Sequence, residues 1–228
     1  MVRVRPNHSL KWGANGVSRG RLLAVLSPVL LIGICMVAQQ AFGTLLSLWA
    51  WAPTMLVFWT LIALSVKWFM GARAIAQWLQ PSQGAVLWGA LGPGVGLLSL
   101  PGFLSHWHIL RDPSIFSFWL AFALINPWFE EAYWRGLLMD ATESWGVVLS
   151  VTYSAVWFAL SHPLVWGVHS TAMRQWPVIL ALLFVGVIWG LVYLRTRSLR
   201  WTIAGHMLAN LLGLAVPVLL NRYNPAVA

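Results

Sequence analysis

Apolar runs of about 20 residues, the length that crosses a bilayer as a helix, recur along this chain between short polar breaks. Residues 22–42 are predicted as the first span, 45–69 as the second and 84–104 as the third. The third contains Pro93, Pro101 and several glycines, which predicts a kinked or re-entrant segment. The fourth is 114–139, the fifth lies within 145–162, the sixth within 176–194 and the seventh within 201–220. The predicted fold class is all-α, a polytopic transmembrane helical bundle of about seven spans, with six to eight as the range. One domain, 22–220, follows a basic tail at 1–21 and precedes a short tail at 221–228. The polar lead is long for a signal peptide and has no small-x-small cleavage site after it, which favours an uncleaved anchor.

Composition agrees: of 228 residues 60% are hydrophobic and 8% charged, far below the charged share of a soluble domain. The net charge of +9 could suggest nucleic acid, but its placement argues otherwise. Arg3, Arg5, Lys11, Arg19 and Arg21 precede the first run, Lys67 and Arg73 separate two runs, and Arg195, Arg197 and Arg200 separate two others. With an inside amino terminus, those ten basic residues lie in the cytosol against Arg111, Arg174 and Arg222 outside. Such clusters favour anionic lipid headgroups, and no stacking platform for bases accompanies them. Trp12, Trp68, Trp107, Trp145, Trp176 and Trp201 lie near span ends and are predicted as interfacial anchors. The single cysteine, Cys35, excludes an internal disulfide and reads as a packed hydrophobe.

Against this background NPWFEEAYWRG (126–136) stands out, because it places two of only five acidic residues inside an apolar run. A charge near the bilayer centre costs on the order of 3 kcal/mol, so Glu130, Glu131 and Arg135 must face protein or a wet cavity. Glu131 and Arg135 are four apart and share a helix face, which predicts an ion pair. Glu130 is turned about 100° away, has Trp134 as its i+4 neighbour, and is left without a local partner. A buried Glu–Arg pair can serve packing alone, but that does not explain Glu130. WFALSH (157–162) places His162 four residues after Phe158, and GHMLANLLG (205–213) places His206 and Asn210 on one face of the last span. Polar groups on three helices are most simply gathered around one cavity. Glu130 and His162 could hold and deprotonate a water, while His206 and Asn210 could donate to the oxygen that becomes negative during attack on a carbonyl.

These segments resemble the CPBP family, the CAAX prenyl-protease and bacteriocin-processing (Abi) intramembrane peptidases, whose pattern is EExxxR, then FxxxH, then HxxxN. Here they read EEAYWR, FALSH and HMLAN, in that order. The resemblance covers about 126–213, and the catalytic core is predicted at about 114–213. It implies an intramembrane endopeptidase with Glu130 as base, His162 as its partner on the water, and His206 with Asn210 as the oxyanion site. Glu131, Arg135 and Phe158 would support them. The implied substrates are prenylated C-terminal peptides, bacteriocin leaders or membrane-anchored proteins, the implied partners are membrane lipids and such substrates without nucleic acid, and the expected location is a bacterial inner membrane. No HExxH helix occurs, so the glutamate-type hydrolase without a cofactor ranks first; the metal-dependent alternative would use Glu130, His162 and His206 on zinc. A non-catalytic membrane protein of the same fold, such as a bacteriocin-immunity factor or scaffold, is the rival function. A proton-coupled transporter is a third, but no repeated pair of broken helices accompanies it.

The depth at which these groups sit predicts an interfacial segment holding Asp140 and Glu143, with the fifth helix starting near Leu149. Pro163, directly after His162, removes one helical hydrogen bond. His106, His108 and His169 read as solvated loop residues, His8 as part of the tail, and Asp112 with Arg111 as a surface pair.

Overall fold

The computed structural model describes residues 19–71, 73–82 and 86–227, which form helices and no strands. Expectations for Arg3, Arg5, Lys11, His8 and Trp12 lie outside these residues. Helix α1 (Arg19–Leu46) turns at Ser47 and packs on α2 (Trp51–Phe69). Arg19 and Arg21, assigned to the tail, belong to α1, and Arg21 Nε donates to the carbonyl of Ala141. Four stretches among the described residues are long and apolar enough to cross a membrane: Arg19–Phe69, Val86–Arg111, Val147–Val168 and Trp176–Thr196. Their outward side chains are bare, with Leu45 83% and Leu87 81% exposed, a surface that only lipid tails accommodate.

The third predicted span is broken. It consists of α4 (Val86–Gly96), a 3-10 turn and α5 (Leu100–His106). Its glycines serve a close crossing with α10 (Arg200–Leu212), the helix that carries His206 and Asn210. A Cβ on Gly92 would stand 2.6 Å from the Trp201 carbonyl oxygen, and one on Gly205 would stand 2.3 Å from that of Gly92. Only glycine permits backbones to approach so closely. Trp201 packs over Gly89 in the same crossing and is therefore not a lipid anchor. Trp68, Trp107, Trp145 and Trp176 are exposed, as anchors should be.

The fourth span begins at α6 (Pro113–Glu131), continues through a π-helical turn at Ala132–Leu137, and ends with α7 (Leu138–Ala141). Asp112 caps it, accepting from the Ser114 and Ile115 amides at 2.9 and 3.2 Å, so its partner is the helix and not Arg111. The π turn overlaps the EExxxR stretch from Ala132 to Arg135, a distortion frequent at functional sites. A 3-10 turn, Glu143–Trp145, and Gly146 at φ +86° lead into α8 (Val147–Leu164), which starts two residues before the predicted Leu149 and continues through Pro163. Asp140 is buried, accepting from Trp78 Nε1 at 2.9 Å and the Tyr193 hydroxyl at 2.8 Å. Trp78 comes from α3 (Arg73–Trp78), a short helix with no apolar run to announce it, and Tyr193 from α9 (Trp176–Thr196). The amide of Leu199, the hydroxyl of Ser198 and Arg200 Nε donate to the carbonyls of Trp78, Gln80 and Leu79, which locks this end of the bundle.

The last span ends α10 at Leu212, and after Leu214 (φ +51°) the short α11 (Ala215–Leu219) follows. The segment assigned to a tail is fastened. Asn221 accepts from the Thr171 amide and hydroxyl and donates to the His169 carbonyl, and Tyr223 is buried against His106. His169 reaches back to the Gln39 carbonyl and His106 to that of Gly102, so neither is a free loop residue; His108 is exposed. Cys35 is fully buried in the core.

Candidate active site

The site lies around a cavity bordered by side chains of α6, α8 and α10, with α10 held between α4 and α6. Glu130, Glu131 and Arg135 are at most 2% exposed, so their charges meet protein and not lipid. Glu130 is not partnerless. Asn126, one turn earlier on the same face, donates through Nδ2 to Glu130 Oε1 at 3.1 Å. The helical i−4 spacing carries this signal. Asn126 Oδ1 in turn accepts from Trp59 Nε1 of α2 at 2.9 Å. Glu130 Oε2 has no hydrogen-bond partner among the described residues and lies 4.0 Å from His206 Nε2.

Glu131 does more than pair with Arg135. Its Oε1 accepts from Arg135 Nη1 at 2.9 Å and from His206 Nδ1 at 2.8 Å. A carboxylate at this position can only accept, so His206 carries its proton on Nδ1 and turns Nε2 towards Glu130. The guanidinium of Arg135 lies over Phe158 (4.5 Å) and Trp189 (5.3 Å), and the ring of His206 stacks on Trp189 at 4.8 Å. One buried unit thus joins all three motifs, with Phe158 as its floor. Trp189 completes it, a residue whose apolar surroundings in the sequence gave no sign of this use.

His162 is fixed by its own helix. Its Nδ1 lies 2.8 Å from the Phe158 carbonyl, which accepts only, so Nδ1 carries hydrogen and Nε2 keeps its lone pair. The ring of Phe158 meets it edge-on at 4.9 Å. Asn210 Nδ2 is buried without a partner among the described residues. Glu130, His162, His206, Asn210 and Asn126 all border one cavity of about 40 Å³. That volume holds a water, which needs about 10–15 Å³ by the same measure. His162, His206 and Asn210 also border an adjoining pocket of about 260 Å³, walled by Val178, Ala181, Leu182 and Val185 of α9.

The zinc alternative requires three ligands around one ion. Among the described residues no group of three His, Cys, Asp or Glu side chains is placed to hold a metal. His206 Nδ1 is already committed to Glu131.

Residues 112–212 match the family model for type II CAAX prenyl endopeptidase Rce1-like proteins. The segment that builds the site is therefore similar to the Rce1-like family. Its bounds contain α6, α8, α9 and α10, and so all three motif stretches. No curated protein and no solved structure matches the chain. The match agrees with the resemblance to the CAAX proteases, and with the membrane-crossing helices it points to an integral membrane protein. The Rce1-like family suggests intramembrane endopeptidase activity on membrane-associated substrates.

Proposed function

We propose that this chain hydrolyses a peptide bond of a membrane-anchored peptide, prenylated C-terminal peptides being the first class to try, by direct attack of water. Glu130 Oε2 takes a proton from the water while the oxygen bonds to the scissile carbonyl carbon. His162 Nε2 accepts a hydrogen bond from the water's other O–H, which stays on the attacking oxygen, and so orients it. The carbonyl oxygen becomes negative and is held by Asn210 Nδ2–H and, in the doubly protonated ring, by His206 Nε2–H, while Nδ1–H stays on Glu131. Glu130 then passes its proton to the leaving nitrogen as the carbon–nitrogen bond breaks. The apolar pocket beside α9 would take the substrate's apolar group next to the reacting bond.

One observation carries this proposal. A buried acceptor, Glu130 Oε2, and a buried donor, Asn210 Nδ2, both without partners among the described residues, belong to side chains that border one water-sized cavity. Other buried polar atoms also lack partners among the described residues, Glu131 Oε2 and Arg135 Nε among them, but Glu130 and Asn210 are the two such side chains on this cavity, where a water and a carbonyl oxygen would satisfy them.

The test uses the full chain in detergent micelles, with internally quenched farnesylated, leader-type and lipid-anchored peptides, with and without chelator. Wild type is expected to cleave at least one probe in chelator, and Glu130→Ala to cleave none. Equal behaviour of both proteins across all probes would support the immunity or scaffold role instead. Activity lost with chelator and restored by zinc would replace the metal-free route.

A further inference from the structure

Trp59 and Asn126 lie outside all three motif stretches, and Trp59 lies outside the matched segment altogether. The contacts between them leave little freedom. An indole N–H can only donate, so the Asn126 atom that faces Trp59 at 2.9 Å must be the carbonyl Oδ1. The amide's orientation follows: Nδ2 is turned towards Glu130 and meets Oε1 at 3.1 Å. Asn126 is 1% exposed, so bulk solvent competes little with its contacts. Trp59 is fixed in its turn by stacking on Phe129, with centroids 5.3 Å apart and planes 12° from parallel. Phe129 is the residue before Glu130, so the indole grips the helix at two points on either side of one turn.

We infer that Trp59 and Asn126 are positioning residues for the carboxylate of Glu130. They hold Oε1 in a fixed hydrogen bond and so aim Oε2 at the cavity shared with His162, His206 and Asn210. A glutamate has three rotatable bonds, and on a lone carboxylate each would be free to turn. The relay from α2 removes that freedom before substrate arrives, which is how a base is kept within reach of its water. The inference rests on the hydrolytic role proposed for Glu130, and it assigns a catalytic task to α2, which contributes no reacting group.

The test has a kinetic arm and a substrate-free arm, both on the full chain in micelles. With the farnesylated probe, Asn126→Leu is expected to lower kcat about 100-fold with KM within about twofold. Trp59→Phe keeps the stacking ring, loses only the N–H, and is expected to lower kcat about threefold to tenfold. Asn126→Gln retains both amide groups and should recover part of the Asn126→Leu loss. In the substrate-free arm the ¹⁵N-indole signal of Trp59 is identified by its absence in Trp59→Phe. Glu130→Gln is expected to move that signal in the wild-type background and not in Asn126→Leu. An indole signal indifferent to Glu130→Gln, or a kcat unchanged in Asn126→Leu, would overturn the inference. If wild type cleaves no probe, the proposed hydrolysis fails while the indole signal still decides the relay. If Asn126→Leu does not fold, the Trp59→Phe kinetics and the Glu130→Gln signal decide it.

Discussion

The two halves of this chain treat polarity in opposite ways. Residues 112–212 concentrate charge and amide groups in the bundle core: Glu130, Glu131, Arg135, His162 and His206 are all at most 9% exposed. Residues 19–111 place no acidic side chain among those groups, yet they hold them from outside. Trp59 grips Asn126, Trp78 grips Asp140, and the Gly92 carbonyl accepts from Trp189 at 3.1 Å while its backbone lies against Gly205. One half carries reactive groups and the other fixes their positions. The difference teaches that an apolar jacket can be specific through single indole N–H groups and missing Cβ atoms, with no motif of its own.

Substitutions can break or sharpen that division. The largest effect on stability is expected within the reactive half. Glu131→Gln leaves the Arg135 guanidinium buried without a counter-charge, which should cost about 3–5 kcal/mol in a reversible unfolding assay in micelles. It also releases His206 Nδ1, so cleavage should fall further than stability alone explains. Next comes the seam between the halves. Gly205→Ala drives a Cβ against the Gly92 carbonyl and should cost about 1–3 kcal/mol, with a loss of kcat because His206 is the next residue. Trp78→Phe tests the jacket alone. It leaves Asp140 Oδ2 without its donor and should cost about 1–3 kcal/mol while kcat per folded molecule stays near wild type. The smallest effect is expected from Trp68→Leu, at 79% exposure, within about 0.5 kcal/mol in micelles. A Trp68 substitution as costly as Trp78→Phe would erase the distinction between inward and outward tryptophans.

The same division explains how much was legible in the chain. Glu130, Glu131, Arg135, His162, His206 and Asn210 could be singled out because polar groups in apolar runs are costly and helix spacing assigns their faces. The i,i+4 pairing of Glu131 with Arg135 followed from spacing alone, but the capture of His206 by Glu131 did not, since it joins residues 75 apart. Asn126 was within reach, one turn before Glu130, and escaped because an amide in a span reads as ordinary interhelical glue. Trp59, Trp78 and Trp189 were illegible for a different reason. An indole at the interface and an indole in the core look alike in sequence, and only packing separates Trp68 from Trp78. The glycines of the third span suggested a kink or re-entrant segment, and the helix is interrupted there. Their close fit against Gly205 and Trp201 is a tertiary fact that local pattern could not supply.

The central claim is that groups from separate helices act together on one water. A kinetic cycle over Glu130→Gln, His162→Ala and the double variant, measured as kcat on the same farnesylated probe, tests it most directly. Residues that serve one water lose their effect together, so Glu130→Gln alone should cost about 1,000-fold, and adding His162→Ala should cost less than about threefold more. Losses that multiply independently, or a His162→Ala enzyme as fast as wild type, would contradict a shared water between α6 and α8.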